Sequence, residues 1–441
     1  MQPATGCTEP IAVGFATSVS YYALFNESME KSQEGIIFPK DAPEFNLDKL
    51  EEITVKTDKN VYKNAYAVKI PGTNGKKGIG IATAMGLYSD YRKRLNLFNA
   101  LSSELLGQAN KLLNSGKIDV DYMESKEKMP HLDIQVSIKY LVNNKVKTSY
   151  VRLEDEHDNI LSIKVDGKRL YQGSRKRPQK EQEEFPGTIK ELIEISRSMT
   201  AKEKEEVYKG IQMNKNIARE GLTGNYGLGI GKALQKLAKK DNSEDSMTMQ
   251  VRIKVAAAAD ARMGGANAPV MSTSGSGNQG IIALIPIAII GELKNLGYDE
   301  ICEAALLSHL ITKFTHLYSS HLSALCCCAV KAGIGATAGI TYLLKGSLEE
   351  INNAINLVVA NITGIICDGA KEGCALKLGT AAAVATESAL MALEGIRVPI
   401  DNGIIYERAE DTIKALGKIS ETMVQTDNEI IKLMQQKYKK N

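Results

Sequence analysis

The stretch IQVSIKYLVNNKVKTSYVRLE, residues 134–154, alternates apolar and polar side chains on both sides of the pair Asn143-Asn144. A period of two is typical of strands with one buried face, and asparagine tolerates the backbone of a tight turn. A further alternating stretch, ILSIKV, follows the turn-forming DEHDN and ends at Asp166-Gly167. The sequence therefore predicts an antiparallel sheet in this part of the chain.

The residues before this sheet have a mixed pattern. IAVGFATSVSYYALF, residues 11–25, predicts a buried helix that begins after Pro10. ITVKT, residues 53–57, and AYAVKI, residues 65–70, favour strands, whereas GIGIATAMG, residues 78–86, favours a glycine loop and a helix. We therefore expect the sheet to be accompanied by helices.

The residues after the sheet favour helix. The charged stretch at residues 174–187 predicts an exposed surface, and residues 188–211 predict an amphipathic helix. From Ser246 onward the chain is almost entirely helix-forming, with glycine interruptions at residues 264–280, 332–339 and 364–380. We expect an α+β protein in which a mostly helical catalytic domain contains an inserted β-containing domain. The predicted domains are residues 1–45 plus 180–441 and, inserted between them, residues 46–179.

Composition limits the classes of function. The 441 residues carry a net charge of +3 at pH 7 without a clustered basic face, so nucleic acid is not an expected partner. The longest apolar run, residues 281–290, is shorter than the ~20 residues that span a bilayer, so no membrane association is expected. The opening MQPATGCTEP lacks a signal-peptide pattern, and the seven cysteines are an odd number. These features predict reduced thiols and a cytoplasmic location.

The cysteines lack the spacing of known local metal motifs, whether the ferredoxin run or paired zinc knuckles. Any metal site must therefore be assembled from distant segments. In ICDGAKEGCALKL, Gly369 and Gly373 favour a loop that could turn Cys367 and Cys374 inward. The run LCCCAV, residues 325–330, supplies three more thiols. The alternative is that these cysteines are small buried apolar residues, as we expect for Cys302.

The stretch STSGSGNQGI, residues 272–281, places small hydroxyl residues and glycines before an apolar helix. Such a helix start exposes backbone N–H groups at the positive end of the helix dipole and can bind a carboxylate or a phosphate. A Walker A motif is excluded because the lysine is missing, and no strand clearly precedes the stretch as a dinucleotide fingerprint requires. An ordinary glycine-rich loop is the alternative.

The short stretch GCTEP, residues 6–10, combines a thiol, a hydroxyl and a carboxylate at a helix start. Thr8 and Glu9 either cap this helix or bind substrate. Among the histidines, His157 lies in a predicted turn, whereas His309, His316 and His321 lack the spacing of four residues that pairs metal ligands on one helical face.

Six stretches, taken in order, resemble the motifs of the L-cysteine desulfidase family. This serine-dehydratase-α-like family is related to the iron–sulfur L-serine dehydratases. The resemblance covers nearly the whole chain and implies the dehydratase-like fold and a dimer. The stretches are GCTEP, VYKNAYAVKIPGTNG, HDNI, SGSGNQGI, LSALCCCAV and NITGIICDGAKEGCALKL.

The resemblance implies a [4Fe–4S] cluster on three cysteines and no pyridoxal phosphate. Cys367 and Cys374 match two family cysteines, and counting back from Gly333 makes Cys328 the favoured third ligand, with Cys326 as the alternative. Where this chain has Cys327 the family usually has glycine.

The implied reaction converts L-cysteine to pyruvate, ammonia and sulfide, and the small amino acid is the expected partner. L-Serine dehydration and amino-acid binding without catalysis are the alternatives. The substrate ammonium group would lie at Thr8 and Glu9, and the α-proton would be taken by Cys7, His157 or Lys371. The substrate carboxylate would bind at Ser274, Ser276, Gly277 and Asn278.

Overall fold

The computed structural model describes residues 1–32, 35–73, 75–98, 102–123, 132–175, 184–319 and 324–438. The chain forms two compact units. The sheet unit is Cys7–Arg177, and the helical unit is Met1–Gly6 together with Pro178–Asn441. We expected residues 7–45 in the helical part, but they belong to the sheet unit. The reason is that the helix Thr8–Ala23 packs on the strands Asp133–Val142 and Lys145–Glu154.

The sheet unit contains four α-helices and eight strands within its described residues. The helices are α1 (Thr8–Ala23), α2 (Lys59–Ala65), α3 (Ile79–Gly86) and α4 (Ser103–Asn114). The strands are β2 (Glu30–Ser32), β3 (Gly35–Ile37), β4 (Leu50–Thr57), β5 (Ile118–Tyr122), β6 (Asp133–Val142), β7 (Lys145–Glu154), β8 (Ile160–Val165) and β9 (Lys168–Gln172). Six of them form one sheet in the order β5-β4-β6-β7-β8-β9, in which only β4 and β5 are parallel.

The two predicted hairpin turns are confirmed. Asn143 and Asn144 have φ angles of 50° and 60°, and Val142 pairs with Lys145 across the turn. Asp166 and Gly167 have φ angles of 49° and 77°. Positive φ at both central residues is the turn geometry that matches the twist of antiparallel strands.

The predicted strand at residues 65–70 is wrong. Helix α2 ends at Ala65, and Lys69 forms only an isolated bridge with Lys77. The competing signal is the N-cap Asp58, whose carboxylate accepts the backbone N–H groups of Asn60 and Val61 at 2.8 and 3.0 Å. This cap favours a helix just before the alternating residues.

The helical unit contains one short antiparallel pair of strands and eleven α-helices within its described residues. β1 (Gln2–Thr5) pairs antiparallel with β10 (Pro269–Ser272). The helices are α5 (Ile189–Arg197), α6 (Ala201–Thr223), α7 (Ile230–Lys240), α8 (Met247–Met263), α9 (Gly277–Leu293), α10 (Tyr298–Tyr318), α11 (Ala332–Leu343), α12 (Leu348–Ile362), α13 (Cys374–Leu393), α14 (Ala409–Thr422) and α15 (Val424–Tyr438).

Small residues let the central helices of this unit approach closely. A Cβ atom on Gly335 of α11 would lie 2.4 Å from the carbonyl oxygen of Ser308 on α10. Helix α11 therefore runs through the predicted glycine interruption at residues 332–339, because its glycines face neighbouring helices. A π-helical turn, Cys327–Lys331, leads into α11.

Residues 188–211 form two helices rather than one, because Thr200 caps α6 with a capping box after α5 has ended.

Among the described residues, α13 is long and apolar enough to cross a membrane by length and composition alone, but most of it is buried within the unit. The core helix of a soluble protein passes the same test, so the cytoplasmic location stays a prediction.

Candidate functional site

A tight turn of residues 273–276, called the serine loop below, joins β10 to α9. The N–H of Thr273 donates to the carbonyl of Ser276 at 3.1 Å, and the N–H of Ser276 donates back at 3.0 Å. The central residues Ser274 and Gly275 have φ angles of 48° and 77°. This conformation strains Ser274, which carries a side chain, and such strain is concentrated at functional sites. Ser276 then caps α9 by accepting the N–H of Gln279 at 3.5 Å.

A strand does precede the serine loop, contrary to our expectation. The reason is that β10 pairs with β1, which lies at the far end of the sequence. The dinucleotide-binding arrangement still does not form, because β10 pairs antiparallel and α9 leads directly into α10 rather than into a parallel strand. The loop is therefore an anion-binding candidate of a different kind.

The first turn of α9 offers unused donors. Among the described residues, the backbone N–H groups of Gly277 and Asn278 have no acceptor. The Ser274 hydroxyl and the Gln279 side-chain oxygen are also buried without a hydrogen-bond partner there. Buried polar groups are normally satisfied, so such a concentration indicates a ligand site.

The loop is held in place from β10 and α6. The amide of Asn214 accepts the N–H of Met271 at 2.8 Å and donates to the carbonyls of Met271 and Gly280 at 3.3 and 3.0 Å. A Cβ atom on Gly280 would lie 1.8 Å from the Met271 carbonyl oxygen, so only glycine allows α9 to lie this close to the strand. These contacts fix the position of the first turn of α9.

The residue that sequence reasoning missed is Arg262, near the end of α8. Its guanidinium group donates to the Asn278 side-chain oxygen at 2.9 Å and to the Gly6 carbonyl at 2.7 Å. Arg262 is only 4% exposed. A signal was present in the sequence, because an arginine within the small-residue run AAAADARMGG, residues 256–265, is placed in a stretch whose composition predicts burial.

A buried histidine supports the serine loop from α10. Nδ1 of His309 lies 2.5 Å from the Thr273 hydroxyl, and its Nε2 atom has no partner among the described residues. Burial, with a smaller contribution from the chain's amino terminus, lowers the pKa of His309 to about 3. The imidazole is therefore neutral at physiological pH.

Four thiols, Cys326, Cys328, Cys367 and Cys374, form the thiol cluster. Residues 324–326 lie antiparallel to residues 365–367: the N–H of Cys326 donates to the Ile365 carbonyl at 2.9 Å, and the N–H of Cys367 donates to the Ala324 carbonyl at 2.5 Å. The thiols of Cys326 and Cys367 are hydrogen-bonded, which together with burial raises the pKa of Cys326. The predicted loop at Cys367 is confirmed, since α13 begins only at Cys374.

Cys328 connects the thiol cluster with the serine loop. Its sulfur lies 3.6 Å from the Ser276 hydroxyl oxygen. Burial raises the pKa of Cys328, and the neighbouring thiols of Cys327, Cys374 and Cys367 add to this rise. The π-helical turn Cys327–Lys331 sets the direction of this side chain, and such turns are common at functional sites. The half-buried Cys327 directs its thiol toward the Leu325 carbonyl at 3.8 Å.

Charged residues surround the loop between Cys367 and Cys374. Asp368 pairs with Lys371 at 2.5 Å and with Lys377. Burial raises the pKa of Asp368, but the two ammonium groups outweigh burial and hold it at about 2. Burial lowers the pKa of Lys377, but Asp368 and the thiols of Cys326 and Cys367 raise it overall. A permanent positive charge thus lies beside the thiol cluster.

The thiol cluster fits an iron–sulfur cluster in its donor chemistry. Burial raises the pKa of Cys374 as it does that of Cys328, so these thiols stay protonated unless a metal displaces the protons. Among the described residues, no three histidine, cysteine, aspartate or glutamate side chains converge closely enough to bind a single metal ion. In a [4Fe–4S] cluster each thiolate binds a different iron, so convergence on one point is not required.

In the sheet unit, three separate stretches meet around the start of α1. The Cys7 thiol donates to the Glu9 carboxylate at 2.8 Å. The Thr8 hydroxyl lies 3.2 Å from Nε2 of His157, and the Asn64 amide donates to Glu9 at 3.2 Å. The structure thus brings together Cys7, Thr8, Glu9 and His157, and it adds Asn64. Lys371 lies in the helical unit, where Nζ also donates to the carbonyls of Asp368 and Gly369 at 3.3 and 3.2 Å.

Fold and site define an α+β protein whose helical unit places buried thiols beside a donor-rich helix start. The chain belongs to the serine dehydratase alpha chain family, whose model matches residues 179–432. This range contains the serine loop, Arg262 and the thiol cluster. Membership indicates a lyase-type enzyme related to amino-acid breakdown.

Curated relatives match almost the whole chain. A UPF0597 protein of Caldanaerobacter subterraneus is 36% identical over 445 residues, and one of Desulfatibacillum aliphaticivorans is 34% identical over 447 residues; each alignment covers 99% of this chain and 96% of the relative. A UPF0597 protein of Desulfotalea psychrophila is 33% identical over 449 residues with the same coverage. Their names state no activity.

Proposed function

We propose that this chain catalyses the pyridoxal-phosphate-independent β-elimination of L-cysteine to pyruvate, ammonia and sulfide. Family membership supports an amino-acid lyase. The observation that carries the proposal is the distance of 3.6 Å between the Ser276 hydroxyl and the Cys328 sulfur. An amino acid whose carboxylate binds at the start of α9 would therefore have its β-carbon within reach of the thiol cluster.

The reaction involves no net oxidation or reduction. A base removes the α-proton of L-cysteine, the electron pair forms the Cα–Cβ double bond, and the Cβ–S bond breaks to release sulfide. The resulting aminoacrylate tautomerises to an imine, and water hydrolyses the imine to pyruvate and ammonia. The chain must therefore bind the carboxylate, accept one proton and accommodate the leaving sulfur.

The carboxylate would bind to donors in the serine loop and the first turn of α9. The N–H groups of Gly277 and Asn278 and the Ser276 hydroxyl lie at the positive end of the helix dipole. The Ser274 hydroxyl, buried without a partner among the described residues, is a further donor. Binding there fixes the substrate so that its β-substituent can reach Cys328.

Cys328, Cys367 and Cys374 would hold a [4Fe–4S] cluster, with Cys326 as the alternative to Cys328. When bound on three cysteines, the cluster would supply an iron with an open position that accepts the leaving group. Lys377, whose charge lies beside Cys367, would offset the negative charge of the thiolates. The thiol of Cys327 points toward the Leu325 carbonyl, so Cys327 is not assigned as a ligand.

The remaining roles are assigned to Thr8 and Glu9 of the sheet unit and to three candidate bases, of which Cys7 and His157 lie in that unit and Lys371 lies in the helical unit. Thr8 and Glu9 would bind the substrate ammonium group, since both offer oxygen acceptors. Cys7 is the first candidate for the base, because its proton already points at the Glu9 carboxylate. His157 and Lys371 are the other candidates. The three acceptors around Nζ of Lys371 make it the weakest, because they already bind its ammonium group.

Anaerobic reconstitution with iron and sulfide, followed by assays with L-cysteine and L-serine, tests the proposal. We expect iron–sulfur absorbance and sulfide release from L-cysteine. Protein that takes up no iron and releases no sulfide would refute the proposal. Faster turnover of L-serine would assign the second candidate, an L-serine dehydratase, which the name of the matched family favours.

A further inference from the structure

We infer that Arg262 makes the start of α9 selective for a substrate carboxylate, as a positioning residue that acts through Asn278. The inference rests on the proposed function, since it assumes that an amino acid binds at the serine loop. It adds a residue outside the predicted site and a cause of selectivity for the acid over its neutral amide.

The guanidinium charge of Arg262 is buried. Arg262 is 4% exposed, and within the described part of the chain no carboxylate lies in ion-pair distance of it. A buried guanidinium group without a counter-ion is unfavourable. The adjacent start of α9 is the positive end of a helix dipole and adds to the cost. An anion bound at this place would relieve both.

Hydrogen bonds hold the guanidinium group of Arg262 in place. One terminal nitrogen donates to the Asn278 side-chain oxygen at 2.9 Å and the other to the Gly6 carbonyl at 2.7 Å. Arginine is suited to this because its donors form a rigid planar fork. The bond to Asn278 fixes the side chain of a residue whose own backbone N–H is one of the unused donors.

The guanidinium group of Arg262 also lies close against Gly277. A Cβ atom on Gly277 would lie 2.5 Å from Nε of Arg262 and 2.5 Å from Cγ2 of Val270. Only glycine therefore lets the guanidinium group lie directly under the first turn of α9. Nε itself is buried without a partner among the described residues. The charge is thus placed within the first turn rather than at the protein surface.

These contacts predict a preference that depends on ligand charge. An amino acid carries a carboxylate that the fixed charge stabilises, whereas the corresponding amide has the same size and the same ammonium group but no negative charge. L-Alanine and L-alaninamide are the probes, because neither carries a leaving group at Cβ and neither is consumed. Their binding is measured by titration calorimetry on the full chain without iron and again after reconstitution.

We expect wild-type protein to bind L-alanine at least about tenfold more tightly than L-alaninamide, as for a hydrogen-bonded charge. Arg262→Gln should remove this preference by weakening the binding of L-alanine without changing that of L-alaninamide. Arg262→Lys keeps the charge but not the planar fork of donors, so it should retain part of the preference. Arg252→Gln is the matched control: Arg252 lies on the same helix, ten residues earlier and about 15 Å along its axis, and also has a buried unpartnered Nε. It should leave the ratio unchanged.

Gly277→Ala keeps Arg262 and displaces its guanidinium group, so it tests the inference if Arg262→Gln does not fold. It too should lower the ratio. A ratio unchanged in folded Arg262→Gln, or in Gly277→Ala where Arg262→Gln is unfolded, overturns the inference while the proposed function stands. A wild-type protein that binds neither probe overturns the carboxylate site itself, and with it both.

Discussion

The hydroxyl oxygen of Ser276 lies 3.6 Å from the sulfur of Cys328, although 52 residues separate them in sequence. Ser276 ends the serine loop, and Cys328 lies in the π-helical turn before α11. This contact joins the two halves of the candidate site in the helical unit: donors for a carboxylate on one side and thiols on the other.

Ser276→Ala should lower kcat/KM for L-cysteine by about tenfold, which corresponds to ~1.4 kcal/mol of binding to a charged group. The hydroxyl is lost from the carboxylate site, but the thiols are untouched. Steady-state kinetics after anaerobic reconstitution measure the loss, and the iron content should equal that of wild type.

Ser246→Ala is the control, because Ser246 caps α8 as Ser276 caps α9 and accepts the N–H of Met249 at 3.4 Å. Both variants should lose about 1 kcal/mol of stability from the missing cap. Only Ser276→Ala should lose activity. Equal activity in the two variants would show that the hydroxyl of Ser276 has no part in binding substrate.

The cluster ligands can be distinguished by replacing single cysteines. Cys328→Ser, Cys367→Ser and Cys374→Ser should each lose the iron–sulfur absorbance, because serine is a poor substitute for a thiolate ligand. Cys327→Gly should keep it, since that thiol is directed at the Leu325 carbonyl. Iron and sulfide analysis after reconstitution gives the result. Retention of the cluster in Cys328→Ser, with its loss in Cys326→Ser, would make Cys326 the third ligand.

Cys7→Ser should retain the cluster and lose turnover by about 10²-fold or more, as expected for removal of a general base. Its thiol donates to Glu9, and serine would keep a hydrogen bond there without an accessible anion. Full iron content together with low activity would support Cys7 as the general base. A fall in iron content would instead identify Cys7 as a further ligand, and unchanged activity would leave His157 and Lys371 as the candidates.

Local signals predicted the parts of the fold that depend on neighbouring residues. The turn at Asn143-Asn144 was predictable because these residues tolerate positive φ between alternating strands. The loop before Cys374 was predictable from its glycines. The sequence predicts one helix over residues 188–211, whereas the structure has two, because the apolar period continues across the capping box at Thr200.

Contacts between distant segments were not predictable. Gly6 and Asn278 lie 256 and 16 residues from Arg262, so its sequence neighbours indicate burial but not its partners. The pairing that brings Cys326 beside Cys367 is a single bridge without a strand pattern. The resemblance to a known family selected these cysteines, and physical pattern alone left a metal site and a buried apolar role both open.

The buried His309 makes stability depend on pH. Its folded-state pKa is lowered to about 3 from an ordinary value of 6.5, chiefly by burial. Below pH 6.5 the unfolded chain therefore binds a proton that the folded chain does not. The stabilisation is fully present above pH 6.5 and is lost as the pH falls toward 3, by about 1 kcal/mol per pH unit.

His309→Asn should remove this dependence, because asparagine can keep a hydrogen bond to Thr273 but does not titrate. The free energy of unfolding from urea denaturation of iron-free protein at pH 7, 6 and 5 is compared between wild type and variant. Other titrating groups are common to both proteins and cancel in the difference. We expect the variant to have a lower free energy of unfolding than wild type at pH 7. This deficit should shrink as the pH falls. A difference that stays constant with pH would mean that His309 is already accessible to protons in the folded helical unit.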